Sequence, residues 1–270
     1  MNIQKEYRKL LSELFWETGI DKEDRTGTGT KSVFGRMLKH DMSLGFPLLT
    51  AKKMYFKHAV TELLWILQGR TDLDFLHKHG VNYWNDNYKK SGRSDNTLGP
   101  VYGKQLRDFN GHDQLKKILE QIKKEPSSRR IVASLWNPND MGDMALPPCH
   151  YGFQVYINNN KLSLSWNQRS ADVFLGLPYD IAMHGLLLQM LAVGSNYEPG
   201  ELTCFLGDCH LYNDHIEAAD NYLHARDKKL PSLEINKGIY LNKDVNIPSH
   251  EDIVLLNYNP GAIITAPLSI

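Results

Sequence analysis

The sequence predicts a single α+β domain spanning residues 1–270. Three observations carry that reading. Helical spacing of apolar residues dominates the first half of the chain. From Arg130 onward the pattern turns to strands. No regular strand–helix alternation appears, which speaks against a repeating βαβ design. At 270 residues and 41% hydrophobic content, the chain can bury a sizeable core.

Each element follows from its own pattern. Ile3 to Trp16 is predicted as an amphipathic helix, with Tyr7, Leu10, Leu11, Leu14 and Phe15 on one side. Asp24 to Thr30 sets two glycines among threonines and is expected to be a loop. Val33 to His40 suits a strand, and Phe56 to Gln68 a buried helix around Leu63, Leu64 and Trp65. Gly69 and Arg70 end that run, and Thr71 or Asp72 caps a short helix to His79. Lys89 to Thr97 is polar and expected as a surface loop. Asp113 to Lys124 keeps Leu115, Ile118, Leu119 and Ile122 in helical register. Strands are expected at Ile131–Trp136, Tyr151–Ile157, Leu162–Trp166 and Thr203–Leu206. In the third, Leu162, Leu164 and Trp166 alternate with Ser163, Ser165 and Asn167. Tyr179 to Val193 is apolar and long enough for a central helix, and Asn213 is a candidate cap for a helix to His224.

Bulk properties narrow the function classes. Lys plus Arg and Asp plus Glu each total 31, so no net charge draws the chain to nucleic acid or membrane. No apolar run reaches membrane-spanning length, and no signal peptide is visible. Three cysteines, Cys149, Cys204 and Cys209, do not make a disulfide framework and fit a reducing cytoplasm.

Four constellations carry chemistry. Arg25, Arg129-Arg130 and Arg169-Ser170 supply guanidinium forks suited to a phosphate, although a lone surface arginine is more often a solvated charge. Pro147-Pro148-Cys149-His150 offers a thiol, or a buried structural cysteine. Neighbours on a strand point oppositely, so His150 is not expected to activate Cys149; a nearby arginine could lower the thiol pKa. Cys204 to His210, with His215 beyond, invites a zinc reading, but no C-x-x-C pair is present, and no metal is expected. His210 and Tyr212, two apart, can face one site. Asp180 follows Pro178 at the start of the long helix, where a capping role competes with function. Glu62 is a carboxylate in an otherwise apolar helix, which favours a paired or functional role over a solvated edge.

Taken together, these segments resemble the thymidylate synthase family. The matching strings are Asp24 to Thr30, Phe46-Pro47-Leu48-Leu49-Thr50, Glu62-Leu63-Leu64-Trp65 and Leu98 to Gly103. Ser128-Arg129-Arg130, Pro148-Cys149-His150, Gln168 to Pro178, Gly207-Asp208 with His210 and Tyr212, and Ala266-Pro267 continue the series in family order. The resemblance implies a mixed β-sheet at a homodimer interface and 5,10-methylenetetrahydrofolate as one-carbon donor. It implies that Cys149 adds to C6 of a pyrimidine nucleotide. Arg25, Arg169 and Ser170 would hold the phosphate, joined by Arg129 and Arg130 from across the dimer, with Gln168 also on the substrate side. His210 and Tyr212 would take the sugar hydroxyl. Asp172, Trp84 and the tail to Ile270 would serve the folate. Glu62, Tyr102 and His150 would organise water and protons.

Two departures matter. Asp180 stands where the family pattern has Asn. An amide matches uracil, whereas a carboxyl can accept from N4 of cytosine and share a proton with N3. That implies dCMP as substrate, with dUMP the alternative. Asn85, Asp86 and Asn87 follow Trp84, and Leu106 follows Gln105, where the family carries more aromatic mass. A looser site admits water and favours a hydroxymethyl product; the retained Trp84 and tail favour a methyl product.

Overall fold

The structure is a computed structural model describing residues 1–269. The first helix, α1 (Ile3–Ser12), runs on as a π turn through Glu13–Glu17. Asn2 caps it by accepting from the Gln4 amide. Strands β1 (Ile20–Lys22) and β2 (Thr30–Asp41) follow. Helices α2 (Phe56–Leu67), α3 (Leu73–Lys78), α4 (Asn85–Lys90), α5 (Tyr102–Arg107) and α6 (Gln114–Lys124) fill the next stretch. Asp72 and Asp113 cap α3 and α6 through their carboxylates, as expected of those residues. The expected loop at Lys89–Thr97 begins inside α4, and α5 lies where no helix was predicted.

Strands β3 (Val132–Ser134), β4 (His150–Asn158) and β5 (Lys161–Asp172) come before the long helix α7 (Gly176–Gly194). Strand β6 (Glu198–Tyr212) leads through a 3-10 turn into α8 (Ile216–His224). Short pairs close the chain: β7 (Ser232–Ile235) with β10 (Ile253–Leu256), and β8 (Tyr240–Leu241) with β9 (Val245–Asn246).

The main sheet has the order β1-β2-β6-β5-β4-β3. Only β5 and β6 run parallel; the other neighbours are antiparallel. The mixed α+β class is therefore the observed one. Helix α7 packs on β5 and β6, and thirteen of its residues are buried. The opposite face of the sheet leaves large apolar groups in water. Phe34 is 81% exposed, Tyr156 61%, Met37 51% and Phe205 45%. Met37 and Phe205 are register partners on β2 and β6, so they form one patch.

Gly207 explains how β6 reaches β5. A Cβ there would sit 2.8 Å from the Arg169 carbonyl oxygen, so only glycine lets the strands meet at that point. Opposite it, Gly35 at φ +72° drops out of the β2–β6 register. No helix among the described residues is long and apolar enough to cross a membrane.

Candidate active site

Cys149 sits at the mouth of β4, half-buried, one residue before the strand begins. Its segment is held from two sides. The Tyr102 hydroxyl accepts from the Cys149 backbone N–H at 2.9 Å. Arg169 donates from Nε to the Pro148 carbonyl and from Nη2 to the Pro147 carbonyl, both at 2.9 Å. Its own N–H donates to the Cys149 carbonyl, also at 2.9 Å. Arg169 thus fixes the proline loop as well as placing a charge there. Burial pushes the Cys149 thiol up to about 11, and the opposing pull of Arg169 does not cancel it. The arginine effect anticipated from sequence is present but smaller than desolvation. His150 turns away and stacks on Tyr102, with ring centroids 4.5 Å apart. Burial first, then nearby His184, holds His150 well below the ordinary imidazole range, so it stays neutral.

The floor is made of carboxyl groups. Glu62 on α2 accepts from the Tyr83 hydroxyl at 2.6 Å and the Trp84 indole N–H at 2.9 Å. Burial raises its pKa. Asp180 lies on the second turn of α7, which starts at Gly176, so it is not the helix cap that local sequence suggests. Its Oδ2 accepts from Gln168 Nε2 at 2.8 Å. The group keeps some solvent contact but is hemmed in by protein. Burial pushes it up to about 7; the Gln168 hydrogen bond opposes that, and Glu62 and Asp172 add to it.

The third side is polar. In the Gly/Thr loop the Asp24 carboxylate accepts from the Thr26 and Gly29 amides, at 2.8 and 2.9 Å. Arg25 projects from that loop, exposed. His210 and Tyr212 share a face of β6, with rings 5.1 Å apart. Asp172 is the register partner of His210, and its Oδ1 accepts from the Phe174 and Leu175 amides at 3.0 and 3.1 Å. Ser170 lies two residues before it on β5. Arg129 and Arg130 stand apart, exposed in the turn before β3. Asn213, read as a helix cap, donates to the Thr28 carbonyl instead.

The C-terminal tail lies across this side. Gly261 donates to the Thr50 carbonyl at 2.7 Å, and His215 Nε2 donates to the Pro267 carbonyl at 2.7 Å. Ser269 lies near Thr28 and Asp214. Ile270 is outside the described residues. Leu106, expected beside an opened site, is instead 2% exposed in the core, and Asn85 turns outward to His77 at 2.6 Å.

A mixed sheet, one buried helix and a cysteine close to arginine, tyrosine and carboxyl groups make up the site. The thymidylate synthase family profile matches residues 5–270. Thymidylate synthase from Mycoplasma mobile is 44% identical over 290 residues, covering 98% of this chain and 99% of that protein. The chain belongs to the thymidylate synthase family, whose one-carbon donor is 5,10-methylenetetrahydrofolate.

The residues present fit that donor. His215 Nδ1 is buried without a hydrogen-bond partner, 3.7 Å from Asp172 Oδ1 and beneath the tail. The Asp172 side chain keeps 19% exposure, so its carboxylate can accept from the N–H groups such a ligand carries. Sequence reasoning met His215 only at the edge of a zinc reading, and gave no role to Lys52, Tyr83, Trp166 or His184. Lys52 is buried, donates to the Phe174 carbonyl at 2.6 Å, and is pushed down to about 8 by burial. A lysine straight after an apolar run was the available signal.

Proposed function

We propose that the chain transfers a one-carbon unit from 5,10-methylenetetrahydrofolate to C5 of dCMP, giving 5-hydroxymethyl-dCMP. The observation that carries this reading is Asp180, a carboxyl group with a pKa near 7 at the cleft floor. In its neutral form one oxygen donates and the other accepts. Against cytosine, O–H meets N3 and the second oxygen takes N4–H. A carboxyl can also give up that proton as the ring becomes electron-rich, which an amide cannot do.

In the proposed reaction the Cys149 thiolate adds to C6, and the displaced electron pair makes C5 nucleophilic. C5 bonds to the one-carbon unit supplied by the folate, then loses its proton. Release of the carrier leaves an exocyclic methylene. Addition of water there gives hydroxymethyl and hydride from the reduced folate gives methyl, and in either case Cys149 leaves C6 as the C5–C6 double bond re-forms. Arg25, Arg169 and Ser170 hold the phosphate, with a second chain's arginines at positions 129 and 130. Gln168 serves the base edge through Asp180, and His210 and Tyr212 serve the sugar hydroxyl. Asp172, Trp84 and the tail to Ile270 serve the folate. Glu62, Tyr102 and His150 arrange water and protons. The exposed patch around Phe34, Met37, Tyr156 and Phe205 supports homodimer formation through the sheet.

A second reading is methylation of dUMP, the thymidylate synthase reaction. The name of the Mycoplasma mobile relative supports it more directly than it supports dCMP. With its pKa pushed up to about 7, Asp180 also suits uracil in its neutral form. A neutral carboxyl can accept from N3–H and donate to O4, so only its ionised form repels uracil. A buried Trp84 and a docked tail favour methyl over hydroxymethyl.

The variant Asp180→Asn tests the substrate. It is expected to lower the ratio of kcat/KM for dCMP over dUMP by about 10³-fold or more, as an unpaired buried polar edge does elsewhere. A ratio unchanged by D180N would contradict a base-reading role for Asp180.

A further inference from the structure

Trp166 looks like core in the sequence, one of the inward residues of an alternating strand. Its indole N–H, however, donates to Gln168 Oε1 at 3.1 Å. The two residues are two apart on β5, so both point toward α7. Both are almost wholly buried, at 0% and 2% exposure. An indole can only donate, so it demands the amide oxygen of Gln168. The amide nitrogen is thereby turned to two acceptors, the Ser170 carbonyl at 3.0 Å and Asp180 Oδ2 at 2.8 Å. Every hydrogen-bonding group of the Gln168 amide is engaged, and the amide cannot flip without setting like against like.

The circuit closes through α7. His184 lies one turn after Asp180, and its Nδ1 faces the Asp180 carbonyl at 2.8 Å. A carbonyl only accepts, so Nδ1 carries the proton. The imidazole stacks flat on the Trp166 indole, with centroids 4.4 Å apart and planes 4° apart. From Asp180 backbone to His184, Trp166, Gln168 and back to the Asp180 carboxyl, four residues form one ring of contacts.

The consequence is chemical. Because Oδ2 already accepts from Gln168, the proton of a neutral Asp180 belongs on Oδ1. The donor and acceptor ends of the carboxyl are then fixed in space. We propose that Trp166 and Gln168 are positioning residues that set substrate choice, by dictating which Asp180 oxygen donates to the pyrimidine edge. Cytosine and uracil present opposite patterns on that edge, so a carboxyl with fixed ends distinguishes them and one with free ends does not. The inference rests on Asp180 meeting the base, but not on which base is preferred.

The test is Trp166→Phe, which keeps a ring against His184 and removes the N–H. kcat/KM is measured for dCMP and dUMP in wild type and W166F. The ratio is expected to move toward unity by about tenfold, whichever nucleotide the wild type prefers. Equal losses on both substrates, with the ratio unchanged, would overturn the proposal, because a packing defect scales both alike. Should W166F fail to fold, Gln168→Met frees the same carboxyl from the other end and is judged by the same ratio. A wild type preferring dUMP, with the ratio still collapsing, would sink the dCMP reading and leave the positioning role standing. A wild-type ratio near unity would sink both.

Discussion

Cys149 carries its proton at neutral pH. Burial outweighs Arg169, so the thiolate is a small fraction until pH approaches 11. Alkylation of the free enzyme by iodoacetamide is therefore expected to speed up about tenfold per pH unit from 7 to 9, following the thiolate fraction. A plateau near pH 8 would show that Arg169 dominates after all. Cys204 and Cys209 are buried and their thiols are pushed further up, so Cys149 is the expected site of labelling. Cys149 stood out in the sequence by its motif, and Asp180 only through the family resemblance, local sequence favouring a helix cap. Trp166 did not stand out: an alternating strand hides a donating indole among leucines. His184 was hidden for the same reason, inside an apolar helix.

Elements were legible where one face is apolar. Helix α6 has its predicted position because its burial is one-sided and Asp113 caps it, and α2 because a largely apolar run ends at Gly69. Helix α7 is apolar nearly all round, so its spacing reveals length but not faces, and its start came three residues earlier than expected. That shift moved Asp180 from cap to cleft floor. Strand β6 extends from Glu198 to Tyr212, far beyond the predicted Thr203–Leu206. Glycines and polar residues mask it, since its ends pair with neighbours instead of filling the core. Helix α5, six residues long, rests on packing against α2 and α6, which no local pattern records.

At the scale of the molecule, the outer face of the sheet leaves Phe34, Met37, Tyr156 and Phe205 exposed, and the proposal is that a partner covers it. A second copy of the chain is the expected one, and it would also bring the arginines at 129 and 130 to the phosphate. Replacing Phe205 by Asp together with Met37 by Lys is expected to give a monomer in analytical ultracentrifugation and to lower activity at least about tenfold. A fully active monomer would refute both the interface and the shared arginines. The acceptor nucleotide decides which reaction the chain performs. Its most direct measurement is tritium release from C5-labelled dCMP and dUMP, each with 5,10-methylenetetrahydrofolate, while absorbance near 340 nm follows dihydrofolate. Release from dCMP without dihydrofolate is the predicted result. Release from dUMP alone, with dihydrofolate formed in step, would contradict it and make the enzyme a thymidylate synthase in activity as well as family.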